Sequence, residues 1–355
     1  MIKTDAEKYI SRCIELAKKG KGMVSPNPMV GSVIVHNGKI IGEGYHRKYG
    51  EAHAEVNAVN SVKDKSLLKE STIYVSLEPC AHVGKTPSCA KMITEIGIPE
   101  VVVGSVDPYF QVAGKGIGIL KTSGIKVTTG ILEKECIELN RRFYTFHQKK
   151  RPYLILKWAK TLDGFIDYIR EPDSDNKPTW ITNDYCKTLV HKWRTEEDAF
   201  LVGTNTVLLD NPQLTARKWI GRNPLRITID QYCQLHSSCK IFDNKAHTLV
   251  FNSMKDEPGE GISFIKLDFS KNIIPQILSV LYELEIQSVV IEGGSQTLEG
   301  FINIGLWDEA LVFTGNRNFK NGVKSPTFKF SPTKIETFGD SKLEISYNNE
   351  YVKKI

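Results

Sequence analysis

Between Asp5 and Lys19 the apolar residues Tyr9, Cys13, Leu16 and Ala17 recur at helical spacing, and the glycines at 20 and 22 end the run. The pattern then changes. Val30-Gly31-Ser32-Val33-Ile34-Val35 and Ile40-Ile41-Gly42-Glu43-Gly44-Tyr45 flank Asn37-Gly38, a pair that supplies the positive φ angles of a tight turn and so predicts a β-hairpin. A helix-like stretch follows from Ala54 to Asn60, then a strand at Thr72 to Ser76, a helix near Ala90 to Ile96 and a buried strand at Val101 to Gly104. Gly116 to Gly124 and Ile125 to Gly130 read as one more helix and strand. Alternating strands and helices predict an α/β layer fold.

Residues 145 to 152 carry a basic run ending in Pro152, which reads as a surface linker. Short apolar runs then resume at Tyr153 to Trp158, Ala199 to Gly203, Leu225 to Asp230, Thr248 to Phe251, Ser288 to Ile291 and Glu309 to Phe313, separated by helix- or loop-like stretches. This predicts a second α/β domain, with boundaries at 1–146 and 151–355. No internal repeat links the halves.

Composition agrees with two folded domains. The chain has 355 residues, 41% hydrophobic and 25% charged, against a prior of about 150 residues per domain. The net charge of +6 is too small for this size to announce a nucleic-acid binder. Its distribution is uneven: residues 1–150 hold 22 basic and 15 acidic side chains, the remainder 25 and 26. Any anion handled at the surface is therefore expected on the first part. No run of about 18 apolar residues could span a bilayer and the start lacks a signal peptide's apolar core, so the expected compartment is the cytoplasm. Seven cysteines, an odd number spread over a long chain, point to reduced thiols or metal ligands rather than a disulfide framework.

The first chemistry lies in His53-Ala54-Glu55, Leu77-Glu78-Pro79-Cys80 and Cys89. One imidazole and two thiolates form a soft set suited to zinc, and three protein ligands leave the fourth tetrahedral position open, as in catalytic sites. Glu55, two residues from the histidine, is placed to take a proton from an activated water and hand it to a leaving group. His-x-Glu with Pro-Cys is the signature of zinc-dependent base deaminases. The nine-residue step between the cysteines departs from the usual Cys-x-x-Cys. His46 and His82 are extra candidates; His82 is assigned to shaping the pocket, because a fourth ligand would close the metal.

The run from Leu77 to Cys89, with Pro26-Asn27-Pro28-Met29-Val30-Gly31, Gly44-Tyr45-His46 and Val112-Ala113-Gly114-Lys115-Gly116, closely resembles the bifunctional riboflavin-biosynthesis deaminase/reductase family. In that family the long cysteine spacing is normal. The resemblance implies a cytidine-deaminase-like three-layer domain that removes the 2-amino group of a diaminopyrimidinone carrying a phosphoribosylamino chain. By this likeness His53, Cys80 and Cys89 hold Zn2+, Glu55 shuttles the proton, Asn27 contacts substrate and Lys85 meets its phosphate. Where the family commonly reads Asp-Pro-Asn-Pro, this chain has Asp107-Pro108-Tyr109-Phe110, which removes a hydrogen-bonding amide. Ser88 stands where the family has a second proline, a change expected to matter little.

Beyond residue 150 no Gly-x-Gly-x-x-Gly follows a strand and no Walker-type loop occurs. The run Val289 to Leu298 reads instead as strand, paired glycines at 293 and 294, then helix, a turn that lets backbone approach a phosphate at a helix N-terminus. With Leu156 to Gly164, Trp180-Ile181-Thr182, Arg194 and Gly203 to Arg217, it resembles the reductase half of the same family. The likeness runs to about residue 313. It implies a dihydrofolate-reductase-like α/β domain that uses NADPH to reduce the ring-opened ribosyl aldehyde to ribityl. Ala159, Trp180, Thr206, Asp210, Gly294, Ser295, Gln296, Thr297, Leu298, Glu299 and Gly300 would line the NADPH site. Arg194, Leu214, Arg217 and Glu292 would line the substrate, the arginines gripping phosphate with paired hydrogen bonds. Pro178 replaces a serine of the family pattern, Lys160 replaces a small apolar residue, and Arg170 to Lys177 form a polar insert.

Two other readings compete. A zinc deaminase acting on a nucleoside or RNA would suit the basic first part, but no aromatic-plus-basic stripe for stacking bases is evident. A structural zinc site in a binding scaffold would need a fourth ligand from His46 or His82. The expected partners are small phosphorylated pyrimidines, with no nucleic acid and no membrane. A homo-oligomer is allowed.

Overall fold

The computed structural model describes residues 4–81, 88–109, 113–170 and 177–348. The chain divides into two compact units, Met1–Lys150 and Arg151–Ile355.

In the first unit, helix α1 (Asp5–Ala17) begins at Thr4, whose hydroxyl accepts from the Glu7 N–H while the Glu7 carboxylate accepts from the Thr4 N–H. This reciprocal cap satisfies two end donors that the helix itself cannot. Strands β1 (Gly31–His36) and β2 (Lys39–Tyr45) pair through the Asn37-Gly38 turn, where φ is 48° and 72°, the left-handed values that the dipeptide supplies. After α2 (Ala54–Ser61) come β3 (Thr72–Leu77), α3 (Cys89–Ile96), β4 (Glu100–Ser105), α4 (Lys115–Thr122), β5 (Lys126–Thr129), α5 (Glu133–Leu139) and α6 (Arg141–Lys149). The strand order is β2-β1-β3-β4-β5, with β1 antiparallel to both neighbours and β3 to β5 parallel. Strand periodicity separates the two faces. Ile34, Ile73, Val75, Val101 and Val103 pack under α2, α3 and α4, whereas Val33 and Val35 meet α1 and Val102 meets α1 and α5. The result is a three-layer sandwich. Residues 145–149, read from sequence as linker, are instead the last turns of α6. The reason is the apolar spacing of Phe143 and Phe146, both buried, which outweighs the basic run.

The second unit is built on a nine-stranded sheet. Its elements are β6 (Tyr153–Lys160), β7 (Phe165–Asp167), α7 (Asp184–Glu196), β8 (Ala199–Gly203), α8 (Thr204–Asp210), β9 (Leu225–Ile229), β10 (Thr248–Asn252), β11 (Ile262–Lys266), α9 (Ile273–Glu283), β12 (Ser288–Ile291), α10 (Ser295–Asn303), β13 (Glu309–Thr314), β14 (Val323–Lys324), β15 (Lys334–Phe338) and β16 (Ser341–Tyr347). The order β11-β10-β9-β8-β12-β6-β13-β16-β15 is parallel up to β13, and β16 and β15 close it antiparallel; β7 and β14 pair separately. Leu154, Leu156, Val289 and Ile291 face α9 and α10, and the residues between them, Tyr153, Ile155 and Val290, face α7. Each such fully buried side chain contributes about 1.5–3 kcal/mol. Both faces are covered, as a parallel sheet requires. No helix among the described residues is long and apolar enough to cross a membrane.

Candidate functional site

His53 caps the N-terminus of α2, Glu55 lies in its first turn, Cys80 follows β3 and Cys89 opens α3. The ligand atoms of His53, Cys80 and Cys89 lie within 4.8 Å of one another. The histidine Nδ1 is 3.6 Å from the Cys80 Sγ and 3.5 Å from the Cys89 Sγ. A tetrahedral zinc with nitrogen at about 2.0–2.1 Å and sulfur at about 2.3 Å would set those separations near ~3.6 Å. The donor set therefore fits zinc in size as well as in softness. The Cys89 N–H donates to the Cys80 sulfur at 3.3 Å, a second tie on that ligand. Two helix N-termini meet here, and their positive ends favour thiolate and carboxylate.

Burial, reinforced by the Cys80 sulfur, raises the Glu55 carboxyl to about 7. It is 3% exposed. The Cys80 thiol is pushed down, first by donation from Cys89 and then by His53. A carboxyl that changes protonation near neutral pH beside a thiolate and an imidazole is suited to carrying a proton.

Asn27 sits beside this group. Its amide nitrogen is 3.1 Å from the His46 Nε2, and the His46 ring lies edge-on to His53 with centroids 5.3 Å apart. The other His46 nitrogen is 3.2 Å from the Ala52 carbonyl. The loop bearing Asn27 is held by Asn140, which is buried between α5 and α6 and bonds both the N–H and the carbonyl of Met29 at 2.8 and 2.9 Å.

Sequence reasoning missed Glu78. Its buried carboxylate accepts from the N–H groups of Asp107, Gly114, Gly116 and Ile117 at 2.9 to 3.3 Å, fixing the start of α4 next to Cys80. The available signal was an acid inside an otherwise apolar run. Ser88 also has a larger part than expected, because its hydroxyl caps α3 by accepting from the Lys91 N–H. The substituted Tyr109 turns toward α6, its ring 4.8 Å from that of His147, while the Asp107 carboxylate takes its N–H at 2.8 Å. Lys85, His82 and Phe110 lie outside the described residues.

The second unit holds a cleft of about 760 Å³ at the ends of β6, β8, β9 and β12 and over the start of α10. Of the predicted cofactor residues, Ala159, Thr206, Asp210, Gly294, Ser295, Gln296, Thr297, Leu298 and Gly300 line it; Trp180 and Glu299 do not. Trp180 is half exposed beneath the Lys187 ammonium, 4.2 Å from its ring, although its neighbours Thr179 and Ile181 both line the cleft. Gly293 adopts φ 114°, which residues with side chains avoid, and Gly294 caps α10 with no side-chain hydrogen bond. The first N–H groups of α10 thus face the cleft without a cap, a cradle suited to the pyrophosphate of a dinucleotide.

Among the predicted substrate residues only Glu292 lines this cleft. Arg194 lies behind it, its Nη2 3.1 Å from the Glu292 carboxylate and its Nη1 3.3 Å from the Thr215 carbonyl. Lys157, another residue missed from sequence, reaches Glu292 at 3.6 Å. Burial works against the Glu292 carboxylate, yet Lys157 and Arg194 hold it below the usual range. Leu214 is buried in the core with φ 53°. Arg217 bonds Gln213 and Thr215 through its guanidinium and donates its N–H to the His191 Nδ1 at 3.1 Å. Lys160 points away from the cleft to Glu344, at 3.8 Å. Pro178 follows the polar insert and is exposed.

Comparison with known proteins finds relatives for both units. Residues 3–105 match the cytidine and deoxycytidylate deaminase zinc-binding region, and residues 152–317 match the RibD C-terminal domain. The chain is 37% identical to the riboflavin biosynthesis protein RibD of Aquifex aeolicus, covering 96% of this chain and 98% of that one. It is 33% identical to the protein of that name from Escherichia coli, over 86% of each chain. The crystal structure of a diaminohydroxyphosphoribosylaminopyrimidine deaminase/5-amino-6-(5-phosphoribosylamino)uracil reductase from Thermotoga maritima superposes with a TM-score of 0.86 at 38% identity, covering 97% of this chain and 99% of that one. RibD of Acinetobacter baumannii gives 0.86 at 29% identity, covering 97% and 98%. The chain belongs to the RibD family and is a bifunctional enzyme of the riboflavin pathway, a zinc-dependent deaminase joined to an NADPH-dependent reductase.

Proposed function

We propose that this chain converts 2,5-diamino-6-(5-phosphoribosylamino)pyrimidin-4(3H)-one to 5-amino-6-(5-phosphoribosylamino)uracil and then reduces the ribosyl group of that product to ribityl. Residues 1–146 would carry the first reaction and 151–355 the second. The observation that carries this reading is the meeting of the His53 nitrogen, two cysteine sulfurs and a buried Glu55 at paired helix ends. When bound, zinc supplies the Lewis acidity for hydrolytic loss of ammonia, and NADPH supplies the hydride for the carbonyl carbon.

The chain's own residues do the remainder. His53, Cys80 and Cys89 hold the metal, and Glu55 takes up and releases the proton that must move from water to the departing nitrogen. Asn27, fixed by His46, orients the pyrimidine, and Lys85 meets the phosphate. In the reductase, the uncapped start of α10, with Ala159, Thr206 and Asp210, positions NADPH. Trp180 and Glu299 border that site. Glu292, kept ionised by Lys157 and Arg194, faces the substrate, with Leu214 and Arg217 proposed to support that side of the site from behind the cleft wall. The ligands are small phosphorylated pyrimidines rather than nucleic acid or membrane, and the compartment is the cytoplasm. Self-association is left to sedimentation. Incubating the protein with the diaminopyrimidine phosphate, with and without NADPH, tests the reading by product mass. The expected products are the uracil without NADPH and the ribityl compound with it; formation of neither would overturn the proposal.

A further inference from the structure

The carboxylates at the reductase cleft pose an electrostatic problem. Among the described residues, the charged side chains lining it are Asp167, Asp210, Glu292 and a single lysine, Lys157. NADPH brings a pyrophosphate and a phosphomonoester, the latter alone carrying about −1.5 to −2 charges at neutral pH. Like charges at close range in a partly dry cleft repel strongly. Glu292 is compensated by Lys157 and by Arg194. The other two acids need a cation as well.

Arg170 provides it. It opens the polar stretch 170–177, and its side chain is 9% exposed. Its Nε donates to Asp167 at 2.8 Å and its Nη2 to Asp210 at 2.5 Å. The same guanidinium reaches the Thr179 hydroxyl at 3.4 Å and the carbonyls of Lys177 and Leu209. Leu209 and Asp210 end α8, where the helix dipole favours a cation. Asp167, Thr179, Leu209 and Asp210 all line the cleft, but Arg170 itself does not.

We propose that Arg170 is a positioning residue for the anionic cofactor, acting through Asp167 and Asp210, half of whose combined negative charge it offsets at the cleft rim. The inference rests on the reading of this cleft as the NADPH site. Without the guanidinium, two carboxylates would face the incoming phosphates. With it, the rim keeps one net negative charge instead of two, and the hydroxyl and carbonyl walls are held in place.

The test compares NADPH binding by the full-length wild type, Arg170→Gln and Arg170→Lys, followed by fluorescence titration at low and high salt, with thermal denaturation confirming the fold of each. Arg170→Gln is expected to raise Kd at least about tenfold, whereas Arg170→Lys, which keeps the charge but not the fork, is expected to lose less than Arg170→Gln. The gap between wild type and Arg170→Gln should shrink at high salt. Deaminase turnover should be unchanged in both variants. Wild-type affinity in Arg170→Gln overturns the proposal, and so does an equal, salt-independent loss in both variants, which would mark a merely structural residue. No NADPH binding by the wild type overturns the cofactor reading itself, and this inference with it.

Discussion

A proton at Glu55 separates the deaminase's chemistry from its metal. Replacing Glu55 by Gln removes the titrating group and leaves His53, Cys80 and Cys89 untouched. Ammonia release is expected to fall by about 10²–10⁴-fold while the zinc content, read by atomic emission, stays at the wild-type value. Cys80→Ser should do the reverse and lose the metal, yet NADPH oxidation with the deaminated substrate should persist. His191 gives a pH signature in the other unit. Burial, and then the charges of Arg194 and Arg217, lower this imidazole to about 4, with Glu292 opposing them. The unfolded chain, near pKa ~6.5, binds the proton more readily than the folded one. The stability that His191 contributes is therefore present above about pH 6.5 and is lost as the pH falls toward 4. Melting temperature should drop across that window, and less steeply in His191→Asn. Most of the metal site could be read from sequence, because histidine, glutamate and cysteine at fixed spacing are chemically specific. Arg170, Lys157 and His191 could not, because each acts through partners far along the chain, such as Asp210 and Glu292.

Elements show where periodicity suffices and where it fails. The Asn37-Gly38 hairpin and the strands of the first unit follow from local pattern, since turn chemistry and alternation both act over a few residues. The linker reading at 145–152 failed because helix α6 buries Phe143 and Phe146 beneath a basic surface. Strands β15 and β16 escaped notice because β15 is the edge strand and β16 lies next to it, where Leu343 is buried but Lys342 and most of β15 face solvent. Glu78 ties three elements together with no periodic signal at all. Glu78→Ala would leave four backbone donors, three at the start of α4 and one at Asp107 after β4, without their acceptor, each costing about 1–3 kcal/mol when buried. A loss of at least about 3 kcal/mol is expected by denaturant titration, larger than for a typical surface change.

At the scale of the whole molecule, two cofactors should stabilise two different units. A ligand that binds only the folded form stabilises it by about 2.7 kcal/mol at a hundred times its Kd. Saturating NADPH should slow hydrogen exchange in peptides from 151–355, and chelating zinc should speed it in peptides from 1–150, each measured by mass spectrometry. The two-unit organisation was legible because each half repeats the alternation of strand and helix; the order of nine strands in the second was not, since parallel pairing joins residues as distant as Tyr153 and Ser288. One feature of the metal site reaches further. Cys80 and Cys89 are joined by a Cys89 N–H to sulfur bond and by a bond from the Ala90 N–H to the Cys80 carbonyl, so the chain between them closes on itself. Doubling the length of such a closed segment costs only about 0.6 kcal/mol. Chain entropy therefore sets little limit on how far apart in sequence two such ligands can stand, and the two ties at the ends of the segment bring Cys80 and Cys89 together.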